Sequence, residues 1–454
     1  MMTGNALIIV FLLSLAALFF LILKVKLEPF LALIGVALGT GIVIGLPISE
    51  VPGIAASGFG STLTGVGILI GLGVIFGQFL AASGAIGKIA QAVLKLFGVK
   101  KSPAGLAITG TAVSISVYFD AAFVILSGLI KSLSKKTGIS IVSFVTALGV
   151  GLIVSHSMIA PTPGPLIVAE NTGSDLGLFI IYGLLCAIPA TLVGGYFYGM
   201  FIGKRVKHSG EVDEDALVSE TSATVEEVTP KKEISTGLSL GLLALPIVLI
   251  LSNTISDLLF PGTGAATVLG FIGDKNVALF ISVVIALIVL RPYLSQTKDN
   301  IYTEAINSAG MIILITGAGG AFGAVINESG IGDHLISTMQ SWSIPVLLLA
   351  FIFSQILRAS LGSATVALVT TSSILGPMAV ELGTSPVLLG LAICAGAVGL
   401  SLPNDSGFWV VNRFGKLTIV QTIKAWSLGG FVAGLTALGV VFILSLFTGI
   451  LPGL

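Results

Sequence analysis

The feature that most constrains this chain is a series of near-continuous apolar runs, each long enough to cross a bilayer, along the whole sequence. A spanning helix needs about 20 mainly apolar residues. Only 9% of the 454 residues are charged and the mean hydropathy is +1.10, whereas soluble domains have about 25% charged residues. The sequence therefore predicts an all-α polytopic membrane protein. The first run, Ala6–Leu23, has no basic leader or small-residue cleavage site, so we interpret it as a span and not as a signal peptide.

One polar stretch interrupts this pattern near the middle of the chain. Lys204–Glu233 contains 13 of the 42 charged residues (21 basic plus 21 acidic) and few apolar ones. Such a composition cannot form a packed core, which predicts a disordered linker. We therefore divide the chain into a first unit at residues 1–203, a linker at 204–233 and a second unit at 234–454.

The two units resemble each other. "FGQFLAASG" at Phe76–Gly84 corresponds to "FGAVINESG" at Phe322–Gly330, an offset of 246 residues. Together with this block, six elements recur in the same order at nearly this offset, which predicts an internal duplication. The paired elements are Ala6–Leu23 with Thr236–Asn253, Phe30–Leu46 with Val277–Arg291, Leu63–Leu80 with Ile306–Ile326, Pro103–Ile130 with Pro345–Met378, and the interrupted spans at Pro161 and Leu402–Gly407.

Basic residues predict the orientation, because loops rich in Lys and Arg stay in the cytoplasm. Basic clusters flank Pro103–Ile130 on both sides, so that segment is predicted to be a re-entrant hairpin that returns to the same face. Each repeat then has five transmembrane helices plus one hairpin, and the odd number of spans inverts the second repeat. Both termini are predicted to be extracellular or periplasmic and the linker cytoplasmic. In this arrangement 19 of the 21 Lys and Arg residues form a cytoplasmic set, and the two exceptions are Lys275 and Arg358.

Two predicted spans are interrupted by residues that break helices. "HSMIAPTPGPL" at His156–Leu166 contains three prolines, and "LPNDSG" occupies Leu402–Gly407. Proline within a helix removes a hydrogen bond and clashes with the preceding turn. Irregular backbone at membrane depth is tolerated where it is buried or lines a cavity. Inverted repeats with broken helices at the midplane are typical of secondary transporters.

Four ionisable residues fall on the elements that interrupt regular structure. Asp120 and Arg358 lie near the two predicted hairpin tips, and His156 and Asp405 lie at the two breaks. A charge inside the membrane is costly, which indicates function. Structural alternatives stay open: a satisfied core histidine for His156, and for Arg358 an ion pair with an interior carboxylate such as Asp405 or Glu328. Glu170 and Glu328 lie near span ends, where interfacial solvation accounts for them.

At these residues the chain resembles a known family. "YFDAAFVIL", "HSMIAPTPGP", "RASLGSATVAL" and "NDSGFW" are similar to the signature blocks of the gluconate–proton symporters, the gluconate permease or GntP family of the ion transporter superfamily. The resemblance covers nearly the whole chain in the same order. It implies proton-coupled uptake of gluconate or a related hydroxy-acid anion across the cytoplasmic membrane. Ala160 and Thr162 depart from the family pattern, which has a proline and a second histidine there.

The predicted site follows from the chemistry that a hydroxy-acid anion requires. Hydroxyls and free amides bind its carboxylate and hydroxyl groups, and protonation of a nearby carboxylate removes its repulsion of the anion. The predicted substrate-binding residues are Ser116, Thr162, Gly164, Arg358, Gly362, Ser363, Thr365, Asn404 and Ser406, and the predicted proton-coupling residues are Asp120, His156 and Asp405.

Two rival classes of function remain. A sodium-coupled carboxylate carrier or an ion antiporter of the same superfamily could use Asp405, Asn404 and helix-end carbonyls. The second class is a membrane enzyme or a channel; an enzyme is not expected, because no hydrolase, zinc-protease or nucleotide-binding motif is present. With two cysteines and three histidines, neither a metal nor a cofactor is predicted, and the coupling ion is H⁺ with Na⁺ left open. The expected partners are an organic-acid anion and the lipid bilayer, not nucleic acid; homo-oligomerisation stays open.

Overall fold

The computed structural model describes residues 5–98, 101–206, 232–294, 297–330, 345–379, 383–403 and 405–454. All regular elements in these ranges are helical, as predicted. The α-helices are α1 (Asn5–Phe19), α2 (Pro29–Ile44), α3 (Val51–Ala82), α4 (Ala85–Phe97), α5 (Ser102–Val113), α6 (Phe119–Thr137), α7 (Ile141–Met158), α8 (Pro163–Thr172), α9 (Leu176–Ala190), α10 (Tyr198–Arg205), α11 (Thr236–Leu259), α12 (Gly264–Gly273), α13 (Lys275–Val289), α14 (Lys298–Glu328), α15 (Val346–Leu361), α16 (Ala364–Leu375), α17 (Pro386–Val398), α18 (Ser406–Phe414), α19 (Ile419–Thr422) and α20 (Leu428–Ser445).

Six helical segments of the described ranges are long and apolar enough to cross a membrane. The bent pair α12 and α13, which meet at 63°, makes a seventh if it is counted as one span. Five further apolar helices are shorter, at 10–17 residues. Short π-helical turns occur at Phe20–Lys24, Thr191–Phe197 and Ile423–Ser427. The chain is therefore a multi-pass helical membrane protein.

Both predicted helix interruptions are present. α7 ends at Met158 and α8 begins at Pro163, whose ring suits the first turn of a helix, where its missing N–H costs no hydrogen bond. The Ala160–Pro161 peptide bond between them is cis. α17 ends at Val398 and α18 begins at Ser406. The chain thus leaves helical geometry twice inside segments that are otherwise apolar.

Two pairs of short helices are joined by compact turns at the places where hairpins were predicted. α5 and α6 are separated by residues 114–118. α15 and α16 are joined by Gly362, in the left-handed region at φ 67°, and by Ser363, whose hydroxyl accepts a hydrogen bond from the Val366 amide. Glycine enters that region without strain, and serine is a favoured N-cap. The "GS" of "LGSAT" therefore encodes this turn.

Glycine allows the first helix of each pair to approach the first half of a broken helix. A Cβ atom at Gly151 of α7 would collide with the carbonyl oxygen of Ala107 in α5, and one at Gly396 of α17 with that of Phe351 in α15. The Thr111 hydroxyl, 3.2 Å from the Gly151 carbonyl oxygen, donates to it across the first of these contacts. Close backbone approach of this kind is how small residues stabilise helix packing in membranes.

Gly151→Ala is expected to lower stability by about 1–3 kcal/mol, because the added methyl group overpacks a contact between two backbones. Gly128→Ala is the matched control, since a Cβ there meets nothing within 4 Å. The measurement is the thermal unfolding midpoint of both variants in detergent. Equal midpoints for Gly151→Ala and wild type would contradict the proposed packing constraint.

Two helices were missed by sequence analysis. α4 follows the third span and is amphipathic, and α12 precedes α13. Lys88 of α4, 2.8 Å from Glu233, forms an ion pair that lowers the pKa of that exposed carboxyl by hydrogen bonding and by charge attraction. Most of the predicted linker, residues 207–231, lies outside the described ranges.

Candidate functional site

The interruptions and turns meet at one cavity of about 170 Å³. It lies between the turn of the second helix pair, the start of α6 and the start of α18. Eight of the twelve predicted site residues line it. The complete lining is Tyr118, Phe119, Asp120, Ile153, His156, Arg358, Gly362, Ser363, Ala364, Thr365, Asp405, Ser406, Gly407 and Trp426.

Three helix N-termini face this cavity. α6, α16 and α18 each contribute their N-cap residue and first-turn residues to its lining. The first-turn amides of a helix have no intrahelical acceptor and carry a partial positive charge of about half an elementary charge in total. Such ends bind anions. The backbone therefore supplies a favourable potential for a carboxylate at a point where three chain segments meet.

Arg358 and Asp405 form a buried ion pair at the wall of the cavity. Their Nη2 and Oδ2 atoms are 2.5 Å apart, and the side chains are 1% and 8% exposed. Asp405 also accepts hydrogen bonds from the Ser401 hydroxyl and, at 3.0 Å, from the Gly407 amide. The structural alternative for Arg358 thus has its partner, because the guanidinium already binds an internal carboxylate. Its predicted direct contact with substrate stays a prediction.

Asp120 has a different environment. It lies in the first turn of α6 and accepts one hydrogen bond, from the Ser406 hydroxyl at 3.3 Å. Asp120 and Ser406 are both exposed, in contrast to the buried Asp405. Asp120 has no ion-pair partner among the residues that the structure describes. The cavity therefore holds one carboxylate balanced by a guanidinium and one without such a partner.

His156 lies in the last turn of α7 and faces α16. Its Nε2 atom is 3.5 Å from the Thr365 hydroxyl, and its ring lies 6.0 Å from that of Tyr118. The other ring nitrogen is buried, with no hydrogen-bond partner in the described ranges. His156 thus joins the first break to the turn of the second helix pair.

Three predicted site residues lie outside the main cavity. Ser116 and Thr162 line a separate space of about 10 Å³ behind Tyr118 and His156, roughly the room for one water molecule. The Thr162 hydroxyl donates to the carbonyl oxygens of His156 and Ile159, so it stabilises the break itself. Gly164 packs against Leu368 of α16. Asn404 lies outside the described residues.

Several lining residues were not found from the sequence. These include Tyr118, Phe119, Ile153 and Trp426, and the rings of Phe119 and Trp426 are 4.9 Å apart. Tyr118 and Phe119 belong to the block "YFDAAFVIL" and directly precede Asp120, so their position in the sequence could have indicated them. Trp426 lies in the π-helical turn Ile423–Ser427 of a distant span. π-turns are frequent at functional sites, but the sequence does not reveal this one.

The remaining predicted charges lie away from this cavity. Glu328 is exposed, so the expectation of solvation fits it. Glu170 forms an ion pair with Lys275. The described residues contain no cluster of three or more His, Cys, Asp or Glu side chains that could hold a metal ion.

A multi-pass helical fold with two broken helices around an internal polar cavity defines a membrane transporter. The family model "GntP family permease" matches residues 6–447. The chain belongs to this family of permeases and is not an enzyme.

Two relatives and one solved structure illustrate the similarity. The chain is 35% identical to the inner membrane permease YgbN of Escherichia coli K12, covering 92% of this chain and 93% of that protein. It is 31% identical to the high-affinity gluconate transporter of the same strain, covering 90% and 92%. MtrF of Neisseria gonorrhoeae, described among antimetabolite efflux pumps, has a TM-score of 0.60 at 15% identity over 87% of this chain and 84% of that one. That last likeness concerns the fold alone.

Proposed function

We propose that this permease takes up gluconate or a related sugar-acid or hydroxy-carboxylate anion by symport with protons. The observation that carries the proposal is the convergence of three helix N-termini on one cavity with a carboxylate, Asp120, that has no basic partner there. The name of the gluconate transporter at 31% identity supports the substrate class.

Substrate recognition would use the first turns of α16 and α18. Those first-turn amides that are not bonded to the N-cap side chains, and the hydroxyls of Ser363, Thr365 and Ser406, provide donors for a carboxylate and both donors and acceptors for hydroxyl groups. The rings of Phe119 and Trp426 line the same cavity and would pack against the carbon chain. Arg358 would act through Asp405, by holding the start of α18 in place.

Proton coupling would depend on Asp120 and not on Asp405. The charge of Asp405 is balanced by Arg358, so its protonation would leave a buried guanidinium without its counterion. Within the described ranges, Asp120 has only the Ser406 hydroxyl as a hydrogen-bond partner, and its charge would repel an anion bound at the same cavity. Protonation of Asp120 removes this repulsion. Proton and anion then favour each other's binding, since linkage is reciprocal.

We propose an inverted-repeat architecture with two re-entrant hairpins, α5–α6 and α15–α16. Its support is that equivalent contacts recur in both units. Gly151 on Ala107 and Gly396 on Phe351 are related by offsets of 245 and 244 residues. Gly164 of α8 packs on Leu368 of the second hairpin, and Gly407 of α18 packs on Phe119 of the first. Each broken helix therefore contacts the hairpin of the other unit through a glycine of its second half.

The proposed orientation keeps the termini outside and the linker inside the cell. Ion pairs support it, because both basic residues outside the cytoplasmic set have a carboxylate partner: Lys275 has Glu170 and Arg358 has Asp405. Pairing offsets the cost of a charge placed against the positive-inside rule. The first turns of α6 and α18 are exposed at Asp120 and Ser406, and both helices end in basic residues. Because the basic ends would face the cytoplasm, α6 and α18 would form the cytoplasmic side of the cavity. The cavity would therefore open to the cytoplasm.

Cysteine-accessibility labelling tests this topology. Cysteines at Lys101 and Lys131, before and after the first hairpin, are expected to react from the cytoplasmic face in sealed right-side-out vesicles only after permeabilisation. A cysteine at Thr448, near the C-terminus, should react without it. Labelling of positions 101 and 131 from opposite faces would contradict the re-entrant hairpin.

Transport itself is tested in proteoliposomes with radiolabelled acids, an imposed pH gradient and no sodium. Uptake of gluconate or another hydroxy acid that depends on the pH gradient would support the proposal. Uptake that requires sodium at fixed membrane potential would favour the sodium-coupled alternative. No uptake of any hydroxy acid under either gradient would reject the substrate class.

A further inference from the structure

An ion pair joins the second half of the first broken helix to the start of α13. Lys275, the first residue of α13, binds Glu170, the eighth residue of α8. Glu170 also packs on α3, where a Cβ at Gly65 would lie 2.8 Å from its Cγ atom. The pair therefore holds α8 against α3 and α13.

The other unit contains the same two positions with the charges exchanged. Arg413 is the eighth residue of α18, the counterpart of α8. Glu28 immediately precedes the first residue of α2, the counterpart of α13. Both side chains are exposed, and neither forms an ion pair with any residue in the described ranges. The duplicated positions are thus complementary in charge but separated.

The packing on the two long helices, α3 and α14, also differs between the two units. On α3, Gly73 faces the carbonyl of Pro161 in the first break. Its counterpart on α14, Gly319, faces Val369 and Ser373 of α16 instead. α16 is buried at every position from Val366 to Leu375, whereas its counterpart α6 has exposed apolar positions, among them Ile125 at 46%. In the first unit the broken helix packs on the long helix α3, whereas in the second unit the hairpin helix α16 packs on the long helix α14.

We infer that Glu170–Lys275 and Arg413–Glu28 are two alternating latches, each closed in one of two transport states. This inference rests on the proposed inverted repeat. In the second state the two units would exchange these packing arrangements. α18 would then pack on α14, and Arg413 would pair with Glu28. Glu170 would separate from Lys275, and Ile125 of α6 would be buried against α3.

The first test measures maleimide labelling of Ile125→Cys in purified protein that lacks Cys186 and Cys394. Lys275→Glu places like charges beside Glu170, opens the first latch and is expected to shift the equilibrium between the two states about two- to fivefold, the effect of a partly exposed ion pair. Labelling should slow by up to that factor, because its rate follows the population of the state in which position 125 is exposed. The exchange Glu170→Lys with Lys275→Glu should restore the rate. Arg291→Glu, the same charge reversal at an exposed site outside both pairs, should leave it unchanged.

The second test is disulfide formation between Glu28→Cys and Arg413→Cys in the same background. Oxidation is expected to link them, and faster when Lys275→Glu is also present. Absence of this disulfide in both backgrounds, or unchanged labelling of position 125 in Lys275→Glu, would overturn the inference. Neither measurement needs substrate or a coupling ion, so failure of the proposed substrate or coupling would be recognised separately, in the transport assay.

Discussion

Alanine in place of Arg358 is expected to lower the free energy of unfolding by about 3–5 kcal/mol, because it leaves the carboxylate of Asp405 buried without its counterion. The side chains are 1% and 8% exposed, so water does not replace the lost contact. Asp405→Asn in the same protein removes the unpaired charge and is expected to restore most of the loss. The measurement is the thermal unfolding midpoint of the single and double variants in detergent.

Arg358→Lys distinguishes charge from geometry. Lysine restores the positive charge but not the planar fork that reaches a carboxylate, so partial recovery of stability is expected. Arg291→Ala, at an exposed position, is the control and should leave the midpoint unchanged. If Arg358→Ala unfolds at the wild-type temperature but fails to be stabilised by its acid, Arg358 binds substrate directly, as the sequence suggested.

Asp120→Asn is expected to abolish accumulation driven by a pH gradient while preserving exchange of substrate across the membrane. One proton carried per anion supports about tenfold accumulation for each pH unit, and this ratio should fall to about one in the variant. Exchange needs no net proton movement, and the uncharged amide no longer repels the anion. The measurement compares gradient-driven uptake with counterflow of the same radiolabelled acid in proteoliposomes.

Asp405→Asn provides the comparison for this experiment. Because Asp405 pairs with Arg358, its amide variant is expected to reduce uptake and exchange together, through a disturbed start of α18. Normal accumulation in Asp120→Asn, combined with selective loss of accumulation in Asp405→Asn, would assign the coupling proton to Asp405. Ser406→Ala removes the hydrogen bond from the Ser406 hydroxyl to Asp120 and should shift the pH dependence of uptake without abolishing it.

The sequence by itself determined the class of protein, the places where helices break and the ionisable residues at the site. Burial of a charge or of unpaired backbone in a membrane is costly, so Asp120, His156, Arg358 and Asp405 stand out against apolar runs without any structure. Proline and glycine likewise identify places where the backbone leaves or begins a helix, as Pro163 does at the start of α8 and Gly362 at the end of α15.

Only the tertiary structure decided how these residues are combined. It paired Arg358 with Asp405 and left Asp120 in the open cavity. Ser116 and Thr162 line a separate small space, and Trp426, from a segment distant in sequence, lines the main cavity. Such choices depend on which faces of helices far apart in sequence pack together, and apolar runs buried on nearly all sides carry little periodicity that would identify those faces. Charge and backbone breaks are local properties of a sequence, whereas partners are set by packing.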